Sequence, residues 1–220
     1  MKIINLLGAP GCGKGTQASK ISAEFFLVKL STGDILRQIA LSNSVLADKV
    51  KSIMNQGQLI DEDTMQQLME NRINQDDCEK GFILDGFPRT INQANLLNKM
   101  LSEHALYKNA KQINILFELE DLEIVKRITG RFSCKDCGNI YHKLFNRPKY
   151  KNICDKCKCS DFITRDDDRE EVVLDRLKLY KEKITEVVEH YNRKGSLFRV
   201  DANKQPDDVY LQITNIIKNN

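Results

Sequence analysis

The chain has 220 residues, with 34 Lys and Arg against 31 Asp and Glu and a formal charge of +3. That length allows one full domain carrying an insertion but not two large domains, and so small a charge excess does not point to nucleic acid or an anionic membrane as the main partner. No apolar run approaches the roughly 20 residues of a membrane helix, and seven cysteines, an odd number, exclude a complete disulfide framework and favour a reducing compartment with some thiols on a metal.

In chain order, Lys2–Leu7 is a short apolar run that reads as a first buried strand. A cleavable signal would need a longer apolar stretch and a cleavage site, so the expected location is the cytoplasm. Gly8-Ala-Pro-Gly-Cys-Gly-Lys-Gly-Thr16 follows at once and opens a helix over Lys14–Phe25. Glycines let a backbone wrap closely around an anion. The free N–H groups and dipole of the helix start favour negative charge there, and Lys14 adds a full positive charge for phosphates. The usual phosphate-loop spacing is broken at one place, where Gly15 stands in the Ser/Thr position and Thr16 comes one residue later.

Further apolar runs at Val28–Leu30, Phe82–Asp85, Gln112–Glu118 and Ser196–Asp201 are expected strands. Amphipathic stretches beginning near Gly33, Val45, Asp61, Thr90, Leu122, Asp168 and Pro206 are expected helices. Near-continuously apolar strands alternating with helices imply a parallel sheet covered on both faces. Asp85 closes its strand, where a carboxylate suits the waters of a phosphate-bound Mg²⁺ or, alternatively, a structural cap. Arg127 and Arg131 are four apart and share a helical face if that helix persists.

Between about Arg131 and Arg165 the apolar period fades. Cys134-Lys-Asp-Cys137 and Cys154-Asp-Lys-Cys157 are two C-x₂-C pairs separated by 16 residues, a spacing that suits four thiolates around a structural zinc ion. Zinc would stabilise a stretch that lacks an ordinary core. Reduced thiols or a redox dithiol are the alternatives, and Cys159 is a rival for the fourth position. Cys12, beside Lys14 and a helix start, is either a thiol open to inhibitory alkylation or a small residue filling the loop, and Cys78 reads as packing.

Gly8-x-Pro-Gly-x-Gly-Lys-Gly-Thr16-Gln17 resembles the phosphate loop of nucleoside monophosphate kinases, where the extra Gly is normal. Ser31-Thr-Gly-Asp-Ile-Leu-Arg37, then Asp85-Gly-Phe-Pro-Arg-Thr90 with Gln93, then Arg165-Asp-Asp-Asp168 agree in order and spacing, and together the segments resemble the adenylate kinase family in its long-lid bacterial form. The resemblance implies an α/β, P-loop NTPase-like fold: a five-stranded parallel sheet flanked by helices, with a helical acceptor-binding insertion and a zinc-binding lid. The implied core is 1–30, 61–129 and 169–220, with the AMP-binding insertion at 31–60 and the lid at 130–168.

The implied activity is reversible transfer of the ATP γ-phosphate to AMP, giving two ADP, with Mg²⁺ on ATP and structural Zn²⁺ in the lid. The implied partners are ATP, AMP and ADP, with no nucleic acid and no membrane, and the implied state is a monomer. Lys14, Arg89, Arg127, Arg131, Arg165 and Arg176 are the implied catalytic residues. ATP is expected at Gly11, Cys12, Gly13, Lys14, Gly15, Thr16, Arg127, Arg131, Ile140, Tyr141 and Lys204. AMP is expected at Thr32, Arg37, Gln58, Leu59, Ile60, Gly86, Phe87, Pro88, Arg89, Gln93, Arg165 and Arg176. Thr32 and Gln93 favour AMP over pyrimidine acceptors. The family often carries a second Arg after Arg131, and here Phe132 stands instead, while His142 reads as structural. Two rival readings are a kinase for another nucleoside monophosphate and a zinc-ribbon nucleic-acid-binding module on a P-loop domain.

Overall fold

The computed structural model describes residues 1–220. The first half runs β1 (Lys2–Gly8), α1 (Lys14–Phe25), β2 (Val28–Ser31), α2 (Thr32–Ala40), α3 (Ala47–Asn55), α4 (Glu62–Ile73), β3 (Gly81–Asp85) and α5 (Ile91–Glu103). The second runs β4 (Lys111–Glu118), α6 (Asp121–Thr129), β5 (Arg131–Cys134), β6 (Ile140–His142), β7 (Phe162–Ile163), α7 (Glu170–Arg193), β8 (Leu197–Asp201) and α8 (Pro206–Asn219).

Five strands form one parallel sheet in the order β2-β3-β1-β4-β8. Alternation along the strands divides the core. Ile4 and Leu6 of β1, Ile83 of β3 and Ile113 and Ile115 of β4 turn to Ala18 and Ile21 of α1 and Val209, Ile213 and Ile217 of α8. Ile3, Phe82 and Leu84 face the other way, onto Met65 and Met69 of α4 and Leu97 of α5, while Leu7 and Leu116 meet Val187 and Tyr191 of α7. Burial on both faces explains why these strands read as unbroken apolar runs. No helix is long and apolar enough to cross a membrane.

Three buried residues of the expected insertion, Leu36 of α2, Val50 of α3 and Ile60, join the core cluster of Phe82 and Leu84, so residues 31–60 have no core of their own. The expected lid, residues 130–168, differs: β5, β6 and β7 make a separate antiparallel sheet, ordered β6-β5-β7. Its buried hydrophobic cluster is Cys134, Tyr141 and Cys154 alone.

Three expectations about helices need correction. The helix carrying Arg127 does not persist to Arg131: α6 stops at Thr129, and Arg131 opens β5. A helix is expected from Asp168, but α7 starts at Glu170, because Asp168 belongs to a one-turn 3₁₀ helix and its carboxylate is fully buried against Arg131. The start near Val45 moves to Ala47, since the Ser42 and Ser44 hydroxyls bond to each other in a turn that leaves Val45 fully exposed.

Candidate active site

The strands of the parallel sheet deliver their carboxyl ends to one edge, and a cleft of about 780 Å³ opens there. Gly8, Asp85 and Gly86 and the loop after β8 line it, the usual place for a ligand on an open α/β sheet. Its floor is the glycine loop. Gly11 has φ +78° and Gly13 has φ +100°, the left-handed region where glycine is favoured. A Cβ on Gly11 would lie 2.4 Å from Ile128 Cγ1, so packing against α6 also requires glycine there. Gly13 caps α1 with no side-chain bond, which leaves the first N–H groups of the helix facing the cleft. Gly15 and Thr16 line the same wall. The Lys14 ammonium donates to the carbonyls of Gly8 at 2.7 Å and Ala9 at 2.8 Å and stands 3.6 Å from Cys12 Sγ. Cys12 itself is 2% exposed and packs in the core beside Ala18 and Ile21, which fits the loop-filling reading rather than an open thiol.

Arginines from five segments converge on this cleft: Arg37, Arg89, Arg127 and Arg131, Arg165, and Arg176. They are not equally neutralised. Arg131 forks onto Asp168, with Nε 2.8 Å from one oxygen, and Arg176 holds Asp167 at 2.7 Å. Burial works against the Arg131 charge, and Asp168 more than offsets it, leaving its pKa raised. Arg37 pairs with Asp34. Arg89 and Arg165 have no ion pair. Burial first, then the nearby charge of Arg176, pulls Arg89 down to about 10. Burial, then Arg131 and Arg37, does the same to Arg165. Such a concentration of under-compensated guanidinium is a site that favours multiply charged anions.

Among the other expected contacts, Ile140, Tyr141, Lys204, Leu59, Gly86 and Pro88 line the cleft. Thr32, Gln58, Ile60, Phe87 and Gln93 are not on its wall. Thr32 is buried and donates to Gly86 O at 3.1 Å. Gln93, also buried, accepts from the Arg89 backbone N–H at 2.8 Å, which makes it a brace for the 86–89 turn in this conformation. Ile60 and Phe87 sit in the sheet's core, and Gln58 is solvent-exposed.

The four thiols of the two C-x₂-C pairs lie within 4.8 Å of one another. A tetrahedron with Zn–S arms of about 2.3 Å has edges of about 3.8 Å, so the cluster has the size and softness for Zn²⁺. The backbone repeats itself around it. Gly138 N donates to Cys134 O and Cys134 N to Asn139 O; Lys158 N donates to Cys154 O and Cys154 N to Cys159 O. Gly138 (φ +66°) and Lys158 (φ +68°) turn the two knuckles alike. Cys159 is thereby the counterpart of Asn139; it lies outside the thiol group and its Sγ accepts from Asp161 N at 3.2 Å. Phe132, in place of a further arginine, stacks on Tyr141 at 5.7 Å and meets Phe162 edge-on, completing this small core.

His142, read as structural, and Lys29, given no role on the sequence, both take part in the site. His142 fastens the small antiparallel sheet to α6: its Nε2 bonds Lys126 O at 3.1 Å, and its Nδ1 accepts from Leu144 N and Phe145 N. Gly130 makes this possible, since a Cβ there would meet His142 Nε2 at 2.2 Å. Lys29 of β2 reaches the cleft with Nζ 3.8 Å from both Asp34 and Asp85. Its strand pattern could have flagged it, because a lysine inside a short buried strand needs a partner.

A family model of adenylate kinase matches residues 6–196. The adenylate kinase of Archaeoglobus fulgidus is 42% identical over 212 residues, 96% of each chain. That of Lachnospira eligens is 42% identical over 217 residues, 99% of this chain and 100% of its own. That of Caldanaerobacter subterraneus is 43% identical over 213 residues, 97% of this chain and 94% of its own. With phosphate loop, arginines and thiol cluster on one framework, the chain belongs to the adenylate kinase family of nucleoside monophosphate phosphotransferases.

Proposed function

We propose that the protein transfers the γ-phosphate of ATP to AMP, reversibly and in line, giving two ADP, and so serves adenine nucleotide balance and salvage. The observation that carries this reading is the shared cleft in which Lys14 and six arginines face the free N–H groups of α1. An AMP phosphate oxygen attacks the γ-phosphorus while the bond to the β–γ bridging oxygen breaks, and ADP leaves. No protein nucleophile is required, so the protein's work is positioning and charge stabilisation.

Lys14 exchanges the Gly8 and Ala9 carbonyls for phosphate oxygens. Arg127 and Arg131 face the donor phosphates, Arg37 and Arg89 hold the acceptor phosphate, and Arg165 and Arg176 span the two nucleotides. Ile140, Tyr141 and Lys204 bound the donor nucleoside, and residues 130–168 act as a lid that excludes water from the transfer. Asp85 suits Mg²⁺ held through waters: its carboxylate is 14% exposed at the end of β3, faces the cleft and has no cation nearer than 3.8 Å. When bound with ATP, Mg²⁺ neutralises part of the phosphate charge. Zn²⁺ at Cys134, Cys137, Cys154 and Cys157 is structural.

A coupled assay of ADP formation from ATP with AMP, GMP, UMP or CMP tests the reading, and AMP is expected to be much the best acceptor. Lys14→Ala is expected to lower transfer by at least about a hundredfold, the scale of one lost charge-stabilising donor, with an unchanged circular dichroism spectrum. Near-normal turnover of that variant would refute the assignment.

A further inference from the structure

Lys29 stands where no phosphate-loop pattern requires a lysine. It lies on β2, paired in register with Ile83 of β3, and its side chain is 22% exposed. Its ammonium is 3.5 Å from Gly15 O and 3.8 Å from one carboxylate oxygen each of Asp85 and Asp34. Asp34 has a second cation in Arg37, whereas Asp85, only 14% exposed, has Lys29 alone. A half-buried carboxylate without a counter-ion is costly, so Lys29 fills a need of the nucleotide-free protein. The separation of 3.8 Å exceeds a direct hydrogen bond and leaves the Asp85 oxygens open to water. Glycine keeps the place narrow: a Cβ on Gly15 would come within 3.2 Å of Asp85 Oδ2 and 3.7 Å of Lys29 Nζ.

We propose that Lys29 is a positioning residue that stands in for the divalent cation at Asp85 while the site is empty and competes with it when metal–ATP binds, so that it sets how strongly the site demands metal. The inference rests on Asp85 receiving the hydrated metal. One positive charge holds Asp85 in place before the nucleotide arrives; the incoming cation must then share the carboxylate with that charge. Binding of metal–ATP is weakened by the repulsion, and metal not carried by ATP is kept out.

The test is calorimetric titration of the full-length protein with ATP in the absence of any acceptor, once in divalent-free buffer and once with saturating Mn²⁺. In Lys29→Gln the dissociation constant for Mn–ATP is expected to fall about fivefold, the water-like value for a divalent ion about 8 Å from a single positive charge, as for a metal held through water. Lys29→Arg, which keeps the charge, is expected to match the wild type. A Mn–ATP dissociation constant that stays the same or rises in Lys29→Gln overturns the proposal, since it would make Lys29 a structural residue or a phosphate contact. Asp85→Asn separates the two readings. If that variant binds Mn–ATP as tightly as the wild type, the assignment of metal to Asp85 fails. If it binds more weakly while Lys29→Gln does not bind more tightly, only the role of Lys29 fails.

Discussion

At the residue scale, Gly11 and Gly13 of the glycine loop carry different burdens. Both hold left-handed backbone, but Gly11 faces Ile128 of α6 at a distance no Cβ tolerates, whereas nothing lies within 4 Å of a Cβ on Gly13. Gly13→Ala is therefore expected to cost about 1 kcal/mol of backbone strain, and Gly11→Ala to cost about 2–4 kcal/mol once the displaced Ile128 is included. Urea unfolding of the two variants checks the order, and equal losses would mean that α6 yields without cost. Because α6 also carries Arg127, Gly11→Ala is expected to weaken ATP binding as well as stability. The arginines show the same dependence on context. Arg131 and Arg176 are already engaged by neighbouring aspartates of one short turn, while Arg89 and Arg165 have no carboxylate partner, and a phosphate group would supply the missing charge.

At the scale of elements, the β5–β7 stretch proposed as the lid has almost no hydrophobic reason to fold. Two of the three residues in its buried cluster are thiols of the metal group. Stripping the metal with a strong chelator, or replacing Cys157 with Ser, is expected to speed amide exchange across 131–163 by at least about tenfold, with the parallel sheet unaffected. Uniform protection in hydrogen-exchange mass spectrometry would contradict a structural role for the metal. The sequence announced this element by its faded periodicity and its paired cysteines, and the strands of the main sheet by apolar runs that two-sided burial demands. It did not disclose what depends on distant partners. Thr32 and Gln93 read as nucleoside contacts, and no local pattern shows that they also bond to the turn that carries Arg89. Lys29 sits inside an expected strand, but its partners appear only when β2 is set beside β3. Likewise α6 stops before Arg131 because the chain must turn into β5 at Gly130, under the ring of His142, which no local pattern reports.

At the scale of the whole molecule, burial of acidic protons sets an alkaline limit. Burial raises the Cys78 thiol from its usual 9.0 to about 11, and burial, followed by the negative charge of Cys78, raises Tyr107 to about 12. Both keep their protons in the folded protein at a pH where the unfolded chain has lost them. Unfolding is therefore favoured as pH rises: the stability is intact below about pH 9 and declines toward pH 11. Thermal midpoints measured between pH 8 and pH 11 are expected to fall across that window. Cys78→Ala, though less stable throughout, is expected to show a shallower fall, and parallel curves for the two proteins would exclude the thiol as a cause. The twin knuckles around the four thiols bear on mechanics as well as stability. With one ion held by the four thiols, the stretch from Cys134 to Cys157 would be clamped at both ends, and bending is expected at its attachments near Gly130 and Arg165. The conformational entropy of ordering that stretch would then be lost once, when the protein folds, and not again at each catalytic cycle.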